Sequence, residues 1–343
     1  MPLKELSLQG NVGLADVGAI KGAPLKVHKI MGTHGGGPTV TDFSPLAGMA
    51  LETVVLDAPN KDVNVLKGMP LKSAHLSDAV TDISGLKGLQ LKSISLHGAN
   101  QLVNLSPLMG MPLESIDLYG VRATDLSPLS GMPLKRLDVP TQVSDLSALK
   151  DMPALESLSV AGSKVKDFSP LKAMKKLKSL QIADWNGSGF ADITTLAGLP
   201  LEELNLCNTK VTDLGPVKNL PNLKSLTIQG LPISSLDGLK GTKLTTLNIA
   251  ASKVADLTPL AGSPLKYLIA CNCPNLVDLK PLAECKDLEG LTLPAKRGDI
   301  EFLRKMPKLK FLTADQRTED WFLVQQTAEA FWKKYDAEKP KTP

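Results

Sequence analysis

Aromatic side chains are scarce in this 343-residue sequence: three Trp, three Tyr and seven Phe, 4% in all. Few rings are therefore on hand as the anchors that dedicated interfaces favour. Cysteine numbers four, too few for a disulfide framework in a chain this long. No apolar run approaches the roughly 18 residues that a membrane helix needs, so no membrane span is expected. Charge of one sign is lacking too. The 39 Lys and Arg face 35 Asp and Glu, a net +4, and the acids are interspersed among the bases. No basic stripe of the kind that binds nucleic acid stands out. The opening Met1-Pro2-Leu3-Lys4-Glu5-Leu6 lacks the charged-then-apolar plan of a signal peptide. There is no Gly-Lys dipeptide, no Gly-x-Gly-x-x-Gly, no His-Glu-x-x-His and no Gly-x-Ser-x-Gly. No cofactor and no catalytic residue is expected, and the thiol count fits a reducing, cytoplasmic setting. The apolar content of 43% is nonetheless too high for a disordered chain.

What the sequence has in abundance is leucine, and the leucines repeat. The phrase Leu-x-x-Leu-x-Leu recurs at Leu91-Ile94-Leu96, Leu113-Ile116-Leu118, Leu201-Leu204-Leu206 and Leu223-Leu226-Ile228, among others. Fifteen copies start between Leu3 and Leu309, at steps of 20 to 26 residues. A period of this size marks a solenoid, in which each unit buries its apolar face only against its neighbours.

A second phrase lies between the copies and reads best as Thr124-Asp125-Leu126-Ser127-Pro128-Leu129-Ser130-Gly131-Met132-Pro133. It is written like a short helical turn. Asp caps orphan N–H groups, Pro128 suits the first turn, Gly131 suits a left-handed residue past the end, and Pro133 forbids continuation. The capping column holds Asp in twelve of fourteen repeats, with Asn104 and Ser235 in the other two. That substitution pattern points to backbone capping and away from a catalytic or chelating row of carboxylates.

These phrases resemble those of leucine-rich-repeat proteins, in particular the short bacterial class of about 22 residues typified by internalins. The resemblance covers residues 1–314 and implies an α/β repeat solenoid: a horseshoe with a parallel, concave β-sheet and short 3₁₀ or α turns on the convex side. The link Gly-Met-Pro-Leu-Lys-Ser is one residue shorter than in that class, which predicts a tighter strand entry. The phrase Leu-Ser-Pro-Leu-x-Gly-Met-Pro is also similar to the repeat tails of some bacterial Ser/Thr protein kinases. The kinase set itself is missing, because Asp42-Phe43-Ser44 and Asp167-Phe168-Ser169 lack its glycine. The resemblance implies a non-enzymatic scaffold that binds a protein partner through the concave face and two inserted loops, or a regulatory repeat tail of a larger enzyme.

The chain opens in mid-repeat, with Met1-Pro2-Leu3-Lys4 worded like Met132-Pro133-Leu134-Lys135. An uncapped first edge predicts a longer parent polypeptide or self-association across that edge. At the other end, residues 315–337 read as a capping helix. Trp321, Val324, Ala328, Phe331, Trp332 and Tyr335 recur at helical spacing, with Thr318 or Thr327 as its cap. The helix either covers the last coil or detaches to dock in a partner's groove. Residues 338–343 read as a disordered tail.

Candidate partner-binding residues are few. His75 should point outward from its strand, and His97 follows the next strand, which puts the pair one coil apart on one face. Tyr119, Arg136 and Tyr267 are the large side chains on an otherwise small, polar outer surface. Trp185 sits in a Gly-rich insertion, Asp184-Trp185-Asn186-Gly187-Ser188-Gly189-Phe190, and either meets a partner or folds back over the core. A second insertion is Met31-Gly32-Thr33-His34-Gly35-Gly36-Gly37-Pro38. The column after the first Leu is Lys or Glu almost throughout, nine to five, and reads as a solvated rim or a weak surface for an anionic partner. His28 falls where the phrase wants an apolar residue, so that coil is expected to be irregular. Cys207 and Cys271 share a repeat position three coils apart, roughly 14 Å, too far for a disulfide. Cys271, Cys273 and Cys285 are poorly spaced for zinc.

Overall fold

The computed structural model describes residues 4–9, 16–31, 40–57, 61, 63–76, 78–184, 189–314 and 326–338. The chain divides into two compact units, Met1–Leu177 and Lys178–Pro343. Unit 1 carries eight strands: β1 (Glu5–Gln9), β2 (Val27–Met31), β3 (Thr53–Leu56), β4 (Ser73–Leu76), β5 (Ser93–Ser95), β6 (Ser115–Asp117), β7 (Arg136–Asp138) and β8 (Ser157–Ser159). Unit 2 carries seven: β9 (Ser179–Gln181), β10 (Glu203–Asn205), β11 (Ser225–Thr227), β12 (Thr246–Asn248), β13 (Tyr267–Ile269), β14 (Gly290–Thr292) and β15 (Phe311–Thr313). Within each unit every strand pairs in parallel with the next in sequence. The middle residues align as a ladder, such as Ala74, Ile94, Ile116, Leu137 and Leu158 in unit 1, or Leu204, Leu226, Leu247, Leu268 and Leu291 in unit 2. The expected leucine-rich-repeat solenoid is the fold observed.

Strands of three residues bury little alone, and the coil closes the interior behind them. In unit 1 a single coil sends Leu91, Ile94, Leu96, Leu102, Leu105, Leu108 and Met111 inward, none more than 3% exposed. In unit 2 one coil buries Leu223, Leu226, Ile228, Leu231, Ile233, Leu236 and Leu239 in the same way. Each such side chain is worth about 1.5–3 kcal/mol of transfer free energy when fully buried, and only stacked coils bury it. Phe43 and Phe168 fill the leucine slot of the second phrase and are buried with it.

The second phrase forms 3₁₀ turns of three to five residues, such as Ser127–Leu129 and Lys280–Glu284. Gly131, at φ 74°, takes the left-handed position after the turn, and the Met132 amide closes onto the Leu129 carbonyl at 3.2 Å. The capping Asp stands one residue earlier than expected. An apolar residue such as Leu126 occupies the cap position, and Asp125 Oδ1 accepts from the Ser127 amide, two residues on, at 2.8 Å. The Ser127 hydroxyl donates to Oδ2 of the same carboxylate, also at 2.8 Å. The reason is the tightness of a 3₁₀ turn, which an Asx turn enters more readily than a full α-helical cap. Asp192 alone keeps the expected place. The acceptor bond recurs at Asp16, Asp42, Asp82, Asn104, Asp145, Asp167, Asp213, Ser235, Asp256, Asp278 and Asp299; Asp62 lies outside the described residues. At Asp42, Asp125 and Asp167 the serine amide, then its hydroxyl, hold the carboxyl below its ordinary range.

Two turns replace the usual proline by glycine. A Cβ at Gly85 would stand 2.6 Å from the Val63 carbonyl oxygen, and one at Gly238 would stand 2.4 Å from the Leu214 carbonyl carbon. Adjacent turns approach most closely there, and only glycine leaves room.

The end of unit 2 is closed. The Leu312 amide donates to the Gln326 carbonyl, the Ala328 amide donates to the Lys310 carbonyl, and Phe311 bridges antiparallel to Thr327. The free edge of β15 is thus covered. Thr327 begins α1 (Ala328–Glu338), its hydroxyl accepting from the Ala330 amide at 3.2 Å. The helix runs one residue past the boundary expected. Phe331 and Trp332 are buried, and the Arg304 guanidinium lies 3.9 Å from the Trp332 ring while pairing with Glu301 and Asp336. Thr318, Trp321 and Val324 lie outside the described residues, as do Met1–Leu3, on which the reading of an open first coil rests. Among the described residues β1 pairs only with β2.

The coil of His28 keeps full register, contrary to expectation. His28 lies between Leu6 and Val54 in the ladder and takes the leucine's place with no exposed surface. Neither ring nitrogen has a hydrogen-bond partner, and burial holds the imidazole below its ordinary pKa.

Candidate functional site

Outward positions of the sheet are set by strand alternation. In β4 to β7 the first and third residues of each strand face solvent in whole or in part, and the middle ones are buried. This brings four of the six sequence candidates together. His75, Ser95, Asp117 and Asp138 form one continuous column, each in register with the next. His97 and Tyr119 follow β5 and β6 one residue beyond the buried Leu96 and Leu118. Their rings stack at 5.2 Å between centroids and 24° between planes. His97 Nδ1 lies 3.2 Å from Asp117 Oδ2, and the Arg136 guanidinium reaches Asp138 Oδ2 at 3.3 and 3.4 Å. A shallow cavity of about 560 Å³ lies beside them, lined by Asp57, His75, Asp78, Ser95, His97 and Asp117.

Asp117 also serves the backbone. Its Oδ1 accepts from the Tyr119 amide at 3.0 Å and fixes the chain as it leaves the strand. In unit 2 neutral side chains accept the equivalent bonds, Asn205 Oδ1 from the Cys207 amide and Asn248 Oδ1 from the Ala250 amide, each at 2.9 Å. The turn therefore needs an acceptor and not a charge. Asp138 pays for its place: burial, and then neighbouring Asp117, raise its pKa against the pull of Arg136. Two carboxylates opposite each other on adjacent strands repel.

The other candidates lie elsewhere. Tyr267 is on β13, its ring against Gly290 of β14, where a Cβ would stand 2.8 Å from Cδ1. It covers the glycine backbone and so belongs to the sheet's own packing. Trp185 and most of both insertions lie outside the described residues. Among the described residues no group of three His, Cys, Asp or Glu side chains is placed to hold a metal ion. All four cysteines are buried, and burial pushes the thiols of Cys273 and Cys285 up. No helix among the described residues is long and apolar enough to cross a membrane.

The Lys and Glu column has an order that its composition hides. Every Glu stands between basic neighbours on adjoining coils. Glu52 pairs with Lys72 at 2.5 Å and Lys26 at 3.3 Å, and Glu114 with Lys135 at 2.7 Å and Lys92 at 3.3 Å. Glu202 pairs with Lys224, and Glu289 with Lys310. The rim is a ladder of exposed ion pairs, with its lysines committed along it. Alternation at a spacing of one repeat was visible in the sequence, but only the parallel register makes the charges neighbours.

The class defined by this architecture is the leucine-rich-repeat solenoid. Residues 201–241 match the family model described as leucine rich repeats, two copies. Among solved structures the chain is similar to an internalin, InlF of Listeria monocytogenes, at 24% identity and a TM-score of 0.61, covering 91% of this chain and 87% of that one. It is also similar to a chain of the Toll–Spätzle complex of Drosophila, at 13% identity and TM-score 0.58, covering 87% of this chain and 47% of that one. A third is a chain of the TLR13–ssRNA13 complex, at 16% identity and TM-score 0.56, covering 92% of this chain and 57% of that one. The fold is internalin-like. No curated protein matches the chain. None of these relatives bears on the likeness to kinase-associated repeat tails.

Proposed function

We propose that the chain is a non-enzymatic scaffold that binds a protein partner across the outer face of its sheet, chiefly through the cluster of His75, His97, Asp117, Tyr119, Arg136 and Asp138 in unit 1. The observation that carries this reading is the surplus chemistry of that face. The coil asks only for a neutral acceptor at position 117, as Asn205 and Asn248 demonstrate, yet unit 1 sets two carboxylates in register there and adds a stacked ring pair. Side chains kept against a stability cost are common at binding sites.

The fold alone does not choose the partner, since one relative was caught with the protein Spätzle and another with a single-stranded RNA. The surface does. Carboxylates on the outer column repel a polyphosphate, and rim lysines such as Lys72, Lys135 and Lys224 are each paired with a glutamate of their own ladder. A reducing, cytoplasmic setting belongs to the same proposal and is supported by the buried thiols of Cys273 and Cys285.

The test is capture of partners by the full chain and by Tyr119→Ala and Arg136→Ala variants, with melting measured in parallel. Loss of the captured protein at an unchanged melting temperature supports the reading. Undiminished capture by both variants contradicts it.

A further inference from the structure

We propose that the outer face of β4 to β7 receives an arginine-bearing segment of the partner, its guanidinium lying beside the His97–Tyr119 ring pair and reaching the carboxylates of the adjoining cavity. This deepens the scaffold reading and rests on it, adding the chemistry of the segment bound.

Charge complementarity is the first support. The whole chain is basic at +4, but this face is locally acidic. Asp57, Asp78 and Asp117 line the cavity, and Asp138 adjoins Asp117 in register. Arg136, in the neighbouring column, is engaged with Asp138. A basic segment arriving here relieves the repulsion between Asp117 and Asp138, a gain that the free protein does not have.

Geometry is the second support, and it selects arginine. A planar guanidinium combines stacking on an aromatic face with forked bonds to carboxylate oxygens, which the compact ammonium of lysine cannot do. The structure sets both requirements side by side. His97 and Tyr119 stack nearly parallel, and His97 is itself 3.2 Å from Asp117 Oδ2. Ser73, Ser93 and Ser115, the first residues of β4 to β6, are small and leave the approach open.

Third, the carboxylate at 117 is separable from the fold. Its backbone bond is reproduced by asparagine in two coils of unit 2. Asp117→Asn therefore removes the charge and keeps the turn, which makes it a cleaner probe than alanine.

The experiment measures binding of a labelled hexa-arginine peptide to the full chain by fluorescence anisotropy at moderate salt, with hexaglutamate and hexalysine as comparison peptides. The expected order is hexa-arginine, then hexalysine, with no binding of hexaglutamate. Asp117→Asn and Asp78→Asn should each weaken hexa-arginine about tenfold. Tyr119→Ala should weaken hexa-arginine more than hexalysine. Glu202→Gln, an equal loss of charge on the rim ladder of unit 2, should leave binding unchanged. The proposal is overturned if Glu202→Gln weakens binding as much as Asp117→Asn, if hexalysine binds as well as hexa-arginine, or if spermine displaces the peptide at equal charge concentration, which would mark a small-polyamine site. If hexa-arginine fails to bind while Tyr119→Ala still abolishes partner capture, the scaffold reading stands and the cationic segment alone is refuted.

Discussion

The outer column of the sheet tells two different stories in the two units. Over β4 to β7 of unit 1 it reads His75, Ser95, Asp117 and Asp138, all part-exposed. Late in unit 2 the same column reads Asn248, Ile269, Thr292 and Thr313, none more than 5% exposed. Ile269 packs with Ala250 and Cys271, and the Thr292 hydroxyl accepts from the Ala270 amide at 2.9 Å. The backbone is the same in both. The neighbouring column differs too, with Ser73, Ser93, Ser115 and Arg136 over β4 to β7 but Tyr267, Gly290 and Phe311 over β13 to β15. An open position tolerates charge, whereas a covered one must be neutral or internally bonded. A solenoid thus fixes core and turns by repetition and tunes its outer face one side chain at a time.

The sharpest way to break this comparison is to move the charge. Ile269→Asp places a carboxylate at a covered position and is expected to cost about 3–5 kcal/mol by urea denaturation, the range for an uncompensated buried charge. Asp138→Ile, the mirror change, should cost little, because its carboxylate is already disfavoured by burial. Equal costs for the two would remove the distinction between the faces.

Next in size is His28, which tests whether unit 1 carries its own weak coil. Replacing it by leucine restores the repeat and removes two orphan polar atoms, an expected gain of about 1–3 kcal/mol. The pH dependence has a definite sign. Burial lowers the folded pKa below 6.5, so the unfolded chain takes up the proton first. Stability is full above about pH 6.5 and declines as pH falls below it. Melting curves between pH 7.5 and 5.5 should show that decline in the natural chain and lose it in His28→Leu. The capped aspartates, also lowered, surrender their share only as pH falls through their folded pKa values, beneath the ordinary 3.8.

A smaller effect is expected at the turn after β12. Gly98, Gly120 and Gly230 take a left-handed backbone at φ 80°, 79° and 68°, and Asn208 and Asn272 do so at 59° and 56°. Ala251 holds φ 55° with a Cβ that opposes it. Ala251→Gly should stabilise by about 1 kcal/mol, read as a rise in denaturation midpoint. Smallest is Glu114→Gln on the exposed ladder, which should lower the melting temperature slightly at low salt and not at all at high salt.

Much of this architecture was legible in the residues. The leucine period, the Asp-x-Ser caps and the Gly after most three-residue turns are local, so their physics is written within ten residues. The cap offset was not legible, because an Asx turn and an α-helical cap use the same side chain one position apart. The candidate site was half legible. His75 and His97 can be placed on one face by counting, but the His97–Asp117 contact spans 20 residues and depends on how adjacent coils register. That the Tyr267 ring lies against Gly290 is invisible until the strands are set side by side.

The most direct test is chemical-shift mapping of the full chain with hexa-arginine. The account predicts that the perturbed amides cluster at β4 to β7, with Gly98 and Tyr119 among them, and that β11 to β14 stay unmoved. Shifts centred on β11 to β14, or spread evenly along the lysine and glutamate ladder, would contradict it.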